Sequence, residues 1–347
     1  MRIINKSKSK SVLAAMSGGV DSSMAAALLK AKGYYVIGVF FRLHNYFKES
    51  EEKAEKIAKK LNIDFYVFSY QKEFKEKIAD YFIDANKKGL TPNPCVVCNK
   101  KIKFNLLFES LSKFKADYIA TGHYVRKLAV KDKNSKIVYK LFKAKDSRKD
   151  QSYFLWQLNQ KILQKTLFPI GDYQKDQVKK TAKKLGFSIN GPESQEICFI
   201  NGRAEAFLKK KIGVKKGNIV DKKGNILAEH KGLWFYTIGQ RKKIKLSGGP
   251  YYVIEKDIKN NTLIVSKNEK DLLRGELKFK DSNWILGKKP KFPLEIEAKI
   301  RYHHKPAKAV AIDKNHLIFE KPQKAITPGQ SVVFYHNSEL LGGGVIQ

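Results

Sequence analysis

Apolar residues in the first third of the chain follow two alternating rhythms. Short apolar runs at Ser11 to Met16, Tyr35 to Phe41, Asp64 to Ser69 and Asp117 to Ala120 read as buried strands. Between them, apolar residues recur at helical spacing. Ser22 to Lys32 is a helix that Gly33 stops, and Glu51 to Leu61 puts Ala54, Ile57, Ala58 and Leu61 on one face. Glu73 to Lys88 and Ile102 to Lys115 are two further helices. Strands separated by helices of this length predict parallel βαβ units, with ligands at the carboxyl ends of the strands. From about Ile212 the rhythm changes to short alternating runs and turn residues. Asn218 to Val220 with Asn225 to Ala228, and Tyr251 to Glu255 with Thr262 to Ser266, read as hairpins. From about Glu276, the runs Glu295 to Tyr302, Ala307 to Ile312, His316 to Glu320 and Ser331 to Tyr335 predict a small β-barrel. The expected organisation is α/β: a Rossmann-like parallel-sheet domain over 1–210, a β-rich central domain over 211–274 and a C-terminal β-barrel over 275–347.

Composition narrows the class. The chain has 347 residues, 42% hydrophobic and 12% aromatic, which suits packed cores rather than a disordered basic tail. No apolar run approaches the roughly 18 residues of a membrane span, so no membrane association is expected. The basic stretch from Met1 to Lys10 leads into an apolar run that breaks at Ser17-Gly18-Gly19, unlike a signal peptide. Three cysteines are too few for a secreted disulfide framework and point to a cytoplasmic chain with reactive or ligand thiols. The net charge of +36 makes nucleic acid the first partner to consider. Of 69 basic residues 61 are Lys, and the charge divides into +22 over 1–210 and +14 over the remainder. So even a spread does not locate an RNA face.

One motif carries specific chemistry. Ser17-Gly18-Gly19-Val20-Asp21-Ser22-Ser23 joins a buried strand to a helix start. Two glycines let the backbone approach an oxyanion, and the helix N-terminus aims N–H groups at it. Asp21 is unusual beside phosphate, and a bridging Mg²⁺ would account for it. No Gly-Lys-Ser/Thr follows, so this is not a Walker loop. Cys95 and Cys98 lie in Asn93-Pro94-Cys95-Val96-Val97-Cys98, where Pro92 and Pro94 predict a loop before a helix that begins near Lys101. A thiol there, near Lys100, Lys101 and Lys103, is expected to have a lowered pKa. Cys198, in Ile197-Cys198-Phe199-Ile200, reads on its own as a buried, inert cysteine. The ten basic residues against two acids from Arg126 to Lys149 read as a solvated charged loop.

SGGVDS resembles the pyrophosphate (PP) loop of ATP pyrophosphatases. Over nearly its whole length the chain is similar to the bacterial tRNA-specific 2-thiouridylases. The similarity rests on AMSGGVDSS from Ala15, TPNPCVVCNKKIKF from Thr91, TGHY from Thr121 and KDQSYFLW from Lys149. ICFI from Ile197, YTIGQRK from Tyr236, TPGQSVVFY from Thr327 and LGGGVI near the end extend it. The resemblance implies ATP-dependent 2-thiolation of a tRNA uridine, expected at the wobble position. ATP with Mg²⁺ activates the C2 oxygen as an adenylate, and AMP and pyrophosphate leave. Ala15, Met16, Ser17, Gly18, Gly19, Val20, Asp21, Ser22, Phe41 and Gly122 would hold ATP. Cys198 would carry a persulfide from a sulfur donor, a cysteine desulfurase or a sulfur-relay protein. Cys98 would be the second catalytic thiol, and the two would end as a transient disulfide. The tRNA would meet Asn93, Pro94, Cys95, His123, Lys149, Asp150, Gln151, Arg301, Tyr302 and Gln330.

Cys95 departs from the family pattern, in which Asp is common. It is either a tolerated replacement or, with Cys98 and Cys198, a ligand of a [4Fe–4S] cluster with one open iron. Two other function classes fit parts of the chain. A PP-loop ligase or amidotransferase would not need two distant cysteines, and a non-catalytic basic RNA-binding protein would not need an intact SGGVDS loop.

Overall fold

The computed structural model describes residues 9–44, 48–187, 197–200, 202–242, 244 and 246–347. The basic stretch before residue 9, and Glu196 and Lys243 beside the motifs above, lie outside the described residues. No helix among the described residues is long and apolar enough to cross a membrane.

The first half builds the expected parallel sheet. Its elements are β1 (Ser11–Ala15), α1 (Val20–Ala31), β2 (Tyr35–Arg42), α2 (Lys48–Lys60) and β3 (Asp64–Ser69). Two long helices follow. In α3, Gln71–Phe74, a π-helical stretch Lys75–Ala79 and Asp80–Lys87 run on without a break. In α4, Pro94–Cys98, a second π-helical stretch Asn99–Phe104 and Asn105–Phe114 do the same. Then come β4 (Tyr118–Ala120), a hairpin of β5 (Val125–Lys131) and β6 (Ile137–Lys143), α5 (Gln160–Lys165), β7 (Thr166–Leu167) and α6 (Lys175–Lys184). The sheet order is β3-β2-β1-β4-β7, all parallel. Winding outward from β1 in both directions makes the β1/β4 boundary a topological switch point, where a crevice opens at the carboxyl ends. Apolar side chains cover both sheet faces: Val12, Met24, Ala26 and Val36 on one, Leu13, Ile37, Leu107 and Ile119 on the other.

Two of the expectations fail here. The α4 helix begins at Pro94, not near Lys101, because Asn93 caps it and Pro fits its first turn. Cys95 and Cys98 are therefore helical. The charged Arg126–Lys149 run is no solvated loop but mostly the β5–β6 hairpin, paired along its length. Val125 and Leu141 are fully buried, and Lys127 turns inward to donate to Leu163 O and Thr166 O.

After α7 (Ala204–Ile212) the chain is β-rich, as expected. Strands β8 (Gly217–Val220), β9 (Ile226–His230), β10 (Tyr252–Asp257) and β11 (Thr262–Ser266) form a four-stranded sheet in the order β10-β11-β8-β9. Six antiparallel strands then close a barrel: β12 (Leu273–Trp284), β13 (Leu294–Lys299), β14 (Ala307–Ala311), β15 (His316–Lys324), β16 (Ser331–His336) and β17 (Glu339–Ile346). The β12–β17 pairing closes it, and neither strand was among the runs the alternation predicted. Three successive glycines make that closure possible. A Cβ at Gly342 would lie 2.1 Å from Asn283 O, one at Gly343 2.8 Å from the Trp156 ring, and one at Gly344 2.5 Å from Phe279.

The barrel and the parallel-sheet domain share main-chain bonds. The β6 strand pairs with β17, Leu141 opposite Leu340, so the hairpin extends the barrel sheet to eight strands. Tyr153 and Trp156, fully buried, plug the seam: Tyr153 OH donates to Ser331 O at 2.9 Å and Trp156 Nε1 to Ser331 Oγ at 3.0 Å.

Candidate active site

The SGGVDS loop lies on the switch-point crevice, directly after β1. Gly18 has φ +75°, and a Cβ there would sit 2.2 Å from Ser50 O, so both backbone and space demand glycine. Gly19 is the N-cap of α1 without a side-chain cap. The hydroxyls instead brace the loop from within. Ser17 N–H donates to Ser22 Oγ at 3.0 Å, while Ser22 and Ser23 Oγ donate to Gly19 O at 3.0 and 2.9 Å. The helix start thus keeps N–H groups for an external acceptor, with Ser17 and Gly19 exposed. Ala15 and Met16 form the strand end, and Met16 N–H donates to Val39 O at 2.9 Å. Val20 is half-buried, and Phe41 ends β2 edge-on to Tyr70 at 5.5 Å.

Gly122 packs closely on the loop. A Cβ there would meet Ser22 N at 2.6 Å and the Asp21 carbonyl at 2.7–2.8 Å. It therefore lets the β4 end pack directly on the loop's backbone. Gly122→Ala is expected to lower stability by roughly 1–3 kcal/mol through overpacking against backbone that cannot yield; urea unfolding measures it.

Asp21 has partners far away in the sequence. Both its carboxylate oxygens accept from Lys175 Nζ at 2.7 Å, and Tyr124 OH donates to it at 2.9 Å. Lys175, at the first position of α6, is only 5% exposed, and its backbone N–H donates to Asp146. Its carboxylate is thus held by an ammonium and a phenol. Lys175 is the functional neighbour that sequence reasoning missed, being one Lys among 61. Only its position at a helix start marks it out.

Cys98 lies in a separate apolar cluster, with Cys95 one turn before it on α4 and Cys198 near enough to interact with it. Cys98 packs with Leu43, Phe74, Phe82, Ile102, Phe199 and Ile200. Phe199, held against Phe74 and Phe82 at 5.6 and 5.7 Å, pins the turn that carries Cys198. Cys98 is buried, whereas Cys95 and Cys198 keep solvent-reachable surface at the mouth of the cluster. Burial pushes the Cys98 thiol up to about 12 and raises Cys95 and Cys198 too. This reverses the lowered pKa expected at a helix N-terminus, because desolvation outweighs the dipole. Lys103 opposes the rise at all three thiols, and His44, just past β2, is hydrogen-bonded to the Cys198 backbone. Among the described residues no three His, Cys, Asp or Glu side chains come together to hold a metal ion.

His123 follows Gly122, with Nδ1 2.8 Å from Thr121 Oγ1 and its ring stacked on Phe104. Burial first, and Lys103 second, take its pKa down to about 3, so it is neutral at neutral pH. A cavity of about 620 Å³ opens beside the thiols, between the parallel-sheet and central domains. Thr91, Pro92, Ile197, Ile200, Trp234 and Phe235 are among its walls.

The residues expected to meet tRNA are placed unevenly. Asn93 caps α4, Pro94 is buried, and Cys95 faces the crevice mouth. Lys149 is half-buried and hydrogen-bonds Asp146 O through its N–H. Asp150 is buried, accepting from Ala144 N–H and from both Ser152 N–H and Oγ. Gln151 grips Tyr124 through two bonds of 2.9 Å. These two hold the loop that carries His123. Arg301 and Tyr302 lie past the end of β13 rather than on a strand. The Arg301 guanidinium donates to Ile238 O of the central domain and to Ala325 O and Thr327 Oγ1 of the barrel. Tyr302 packs on Phe154 at 4.4 Å. Gln330 donates to Thr91 O at 3.0 Å, tying the barrel turn to the segment before α4.

An oxyanion loop at the switch point of a parallel sheet, with two thiols in a shared cluster and two appended β modules, defines a nucleotide-using sulfur-chemistry enzyme class. Residues 10–202 match a family described as tRNA methyl transferase HUP domain, 205–267 its PRC-barrel domain, and 274–346 an aminomethyltransferase beta-barrel domain. The chain is 44% identical over 351 residues to tRNA-specific 2-thiouridylase MnmA 2 of Clostridium botulinum, covering 97% of this chain and 98% of the relative. It is 44% identical over 358 residues to tRNA-specific 2-thiouridylase MnmA of Clostridioides difficile, with the same coverage. The chain belongs to the tRNA-specific 2-thiouridylase family. Among solved structures, the U34-tRNA thiolase NcsA of Methanococcus maripaludis with its [4Fe-4S] cluster aligns at 19% identity and TM-score 0.37, over 55% of this chain and 62% of that one. That likeness is too loose to bear on the thiols.

Proposed function

We propose that this chain is a cytoplasmic enzyme that converts the wobble uridine of tRNA to 2-thiouridine, using ATP to activate the C2 oxygen and a cysteine persulfide as sulfur source. The observation that carries the reading is that Cys198 lies near enough to Cys98 for the two thiols to interact, in a chain that also carries the SGGVDS crevice. The methyl transfer in the family descriptions needs no such pair.

ATP, brought with Mg²⁺, supplies the leaving group that turns the C2 oxygen into AMP. The chain's own part begins at the loop: Gly18, Gly19 and the α1 N-terminus receive phosphate oxygens, and Ser17 adds a hydroxyl. Lys175 neutralises Asp21 so that a polyanion can approach. The uridine leaves the stack to bring C2 to the thiols. Cys198, reachable from solvent, receives sulfur from a desulfurase or relay protein. The outer persulfide sulfur bonds to C2 as the C2–O bond breaks. Cys98 then attacks the Cys198 sulfur, breaking the S–S bond; the outer sulfur leaves on C2 with the electron pair, and the two cysteines end as a disulfide. An external thiol reduces that disulfide for the next turnover. Lys149, the Arg241 region and the barrel turn at Gln330 supply the surface on which tRNA rests.

The test is AMP release measured with and without tRNA, alongside nucleoside mass spectrometry. We expect AMP formation to require both tRNA and a sulfur donor for product, with 2-thiouridine as the new nucleoside. AMP formation without tRNA would instead favour a PP-loop ligase, and tight tRNA binding with no turnover a non-catalytic RNA-binding protein.

A further inference from the structure

The link Gly89-Leu90-Thr91, between the end of α3 at Lys87 and the start of α4 at Pro94, is held from outside by both β modules. The central domain takes one end. Lys256 Nζ, from β10, donates to Gly89 O at 3.0 Å. Gly89 has φ +73°, and a Cβ there would lie 2.0 Å from Ile258 Cδ1, so the link lies close against the end of β10. The barrel takes the other end through its Thr327–Gln330 turn. Thr91 N–H donates to Pro328 O at 2.9 Å, and Gln330 Nε2 donates to Thr91 O at 3.0 Å. A Cβ on Gly329 would lie 2.9 Å from both Leu90 Cβ and Thr91 N, which leaves no slack between turn and link. Arg301 joins the two holds to each other, through Ile238 O of the central domain and Ala325 O and Thr327 Oγ1 of the barrel.

From Thr91 the hold passes on stiffly. Pro92 and Pro94 are buried, and each fixes its own φ. Asn93 between them caps α4 by accepting from Val96 N–H. Cys95 is the second residue of that helix, and Cys98 lies one turn on. Taken singly, these bonds read as ordinary domain packing, and Lys256 as a cation at the C-terminus of α3. Packing alone does not require that two separate modules converge on the residues leading into the thiol helix.

We infer that Lys256 and Gln330 are positioning residues for sulfur transfer: through the Gly89–Thr91 link they set the start of α4, and with it Cys98, against the turn that carries Cys198. Both act through main-chain carbonyls of the link and neither needs to touch the reacting atoms. The inference deepens the proposed thiolation, on which it rests for its purpose, but its physical content is the alignment of two thiols.

Lys256→Met and Gln330→Met keep an unbranched side chain and remove its donor. Two measurements are made on the full chain. Without ATP or tRNA, the reduced protein is oxidised with diamide, and the Cys98–Cys198 disulfide is followed by non-reducing peptide mass spectrometry. With ATP, tRNA and a sulfur donor, the saturating single-turnover thiolation rate and the tRNA concentration that half-saturates it are measured. In both variants the disulfide rate and the saturating rate are expected to fall together, roughly three- to tenfold, with half-saturation within about twofold of wild type. An unchanged disulfide rate in either variant overturns the inference. So does weaker half-saturation with the saturating rate intact, which would make Gln330 a tRNA contact alone. All rates are taken below the onset of each variant's own thermal melt, so lost stability does not enter them. If both disulfide rates fall while wild type itself fails to thiolate tRNA, the proposed function falls and the alignment role stands.

Discussion

Cys198→Ser is expected to abolish 2-thiouridine formation, by roughly a thousandfold or more, because no hydroxyl can carry transferable sulfur. Cys98→Ser should lose activity to a similar degree but stop at a different place. With the resolving thiol gone, the outer sulfur stays bonded to both Cys198 and C2. The variant should therefore accumulate an enzyme–tRNA adduct that dithiothreitol releases, visible as a shifted band on a non-reducing gel. Equal activity of either variant to wild type sinks the assignment. The pH dependence follows from burial. Cys98, pushed up to about 12, is mostly neutral thiol at pH 7. Its thiolate fraction rises about tenfold per pH unit below that pKa. Single-turnover product release should therefore climb from pH 7 to 9, until another step limits it.

The second large effect concerns Lys175. Lys175→Met leaves the Asp21 carboxylate beside the loop with only Tyr124 to satisfy it. Breaking a fully buried pair costs about 3–5 kcal/mol; because the Asp21 side chain is a third exposed, about 2–3 kcal/mol is expected here. An uncompensated negative charge at the phosphate site should also weaken ATP binding by at least about tenfold, since phosphate and carboxylate repel. Chemical denaturation and nucleotide titration read the two effects separately. The double variant Asp21→Asn with Lys175→Met should regain most of the stability, and failure to do so would show that the two side chains are not coupled.

Much of this was legible in the residues, and the failures have identifiable physical causes. The βαβ rhythm through Ser69 placed SGGVDS at a strand end, because alternation of buried runs and amphipathic helices is a local property. The α4 start was misjudged because two prolines were read as loop punctuation, whereas Pro94 occupies a first-turn position that needs no N–H. The thiol pKa values were misjudged because the lysines are local in sequence but Phe74, Phe82 and Phe199 are not, and only folding brings that apolar wall around Cys98. Lys175 was invisible for the reverse reason: its partner Asp21 lies 154 positions away. The β5–β6 hairpin was hidden because its many lysines read as solvated charge, whereas Lys127 folds inward onto the backbone carbonyls of Leu163 and Thr166.

The pairing of β6 with β17 bears on which partner must deform. A barrel on a linker could swing to meet its substrate. Here a main-chain ladder, the buried Trp156 and the Gln330–Thr91 bond fasten it on several sides. The span from the barrel's surface to the thiols is consequently a fixed gauge of the folded chain. A tRNA held at one end either presents its uridine at the other by bending its own anticodon loop or goes unmodified.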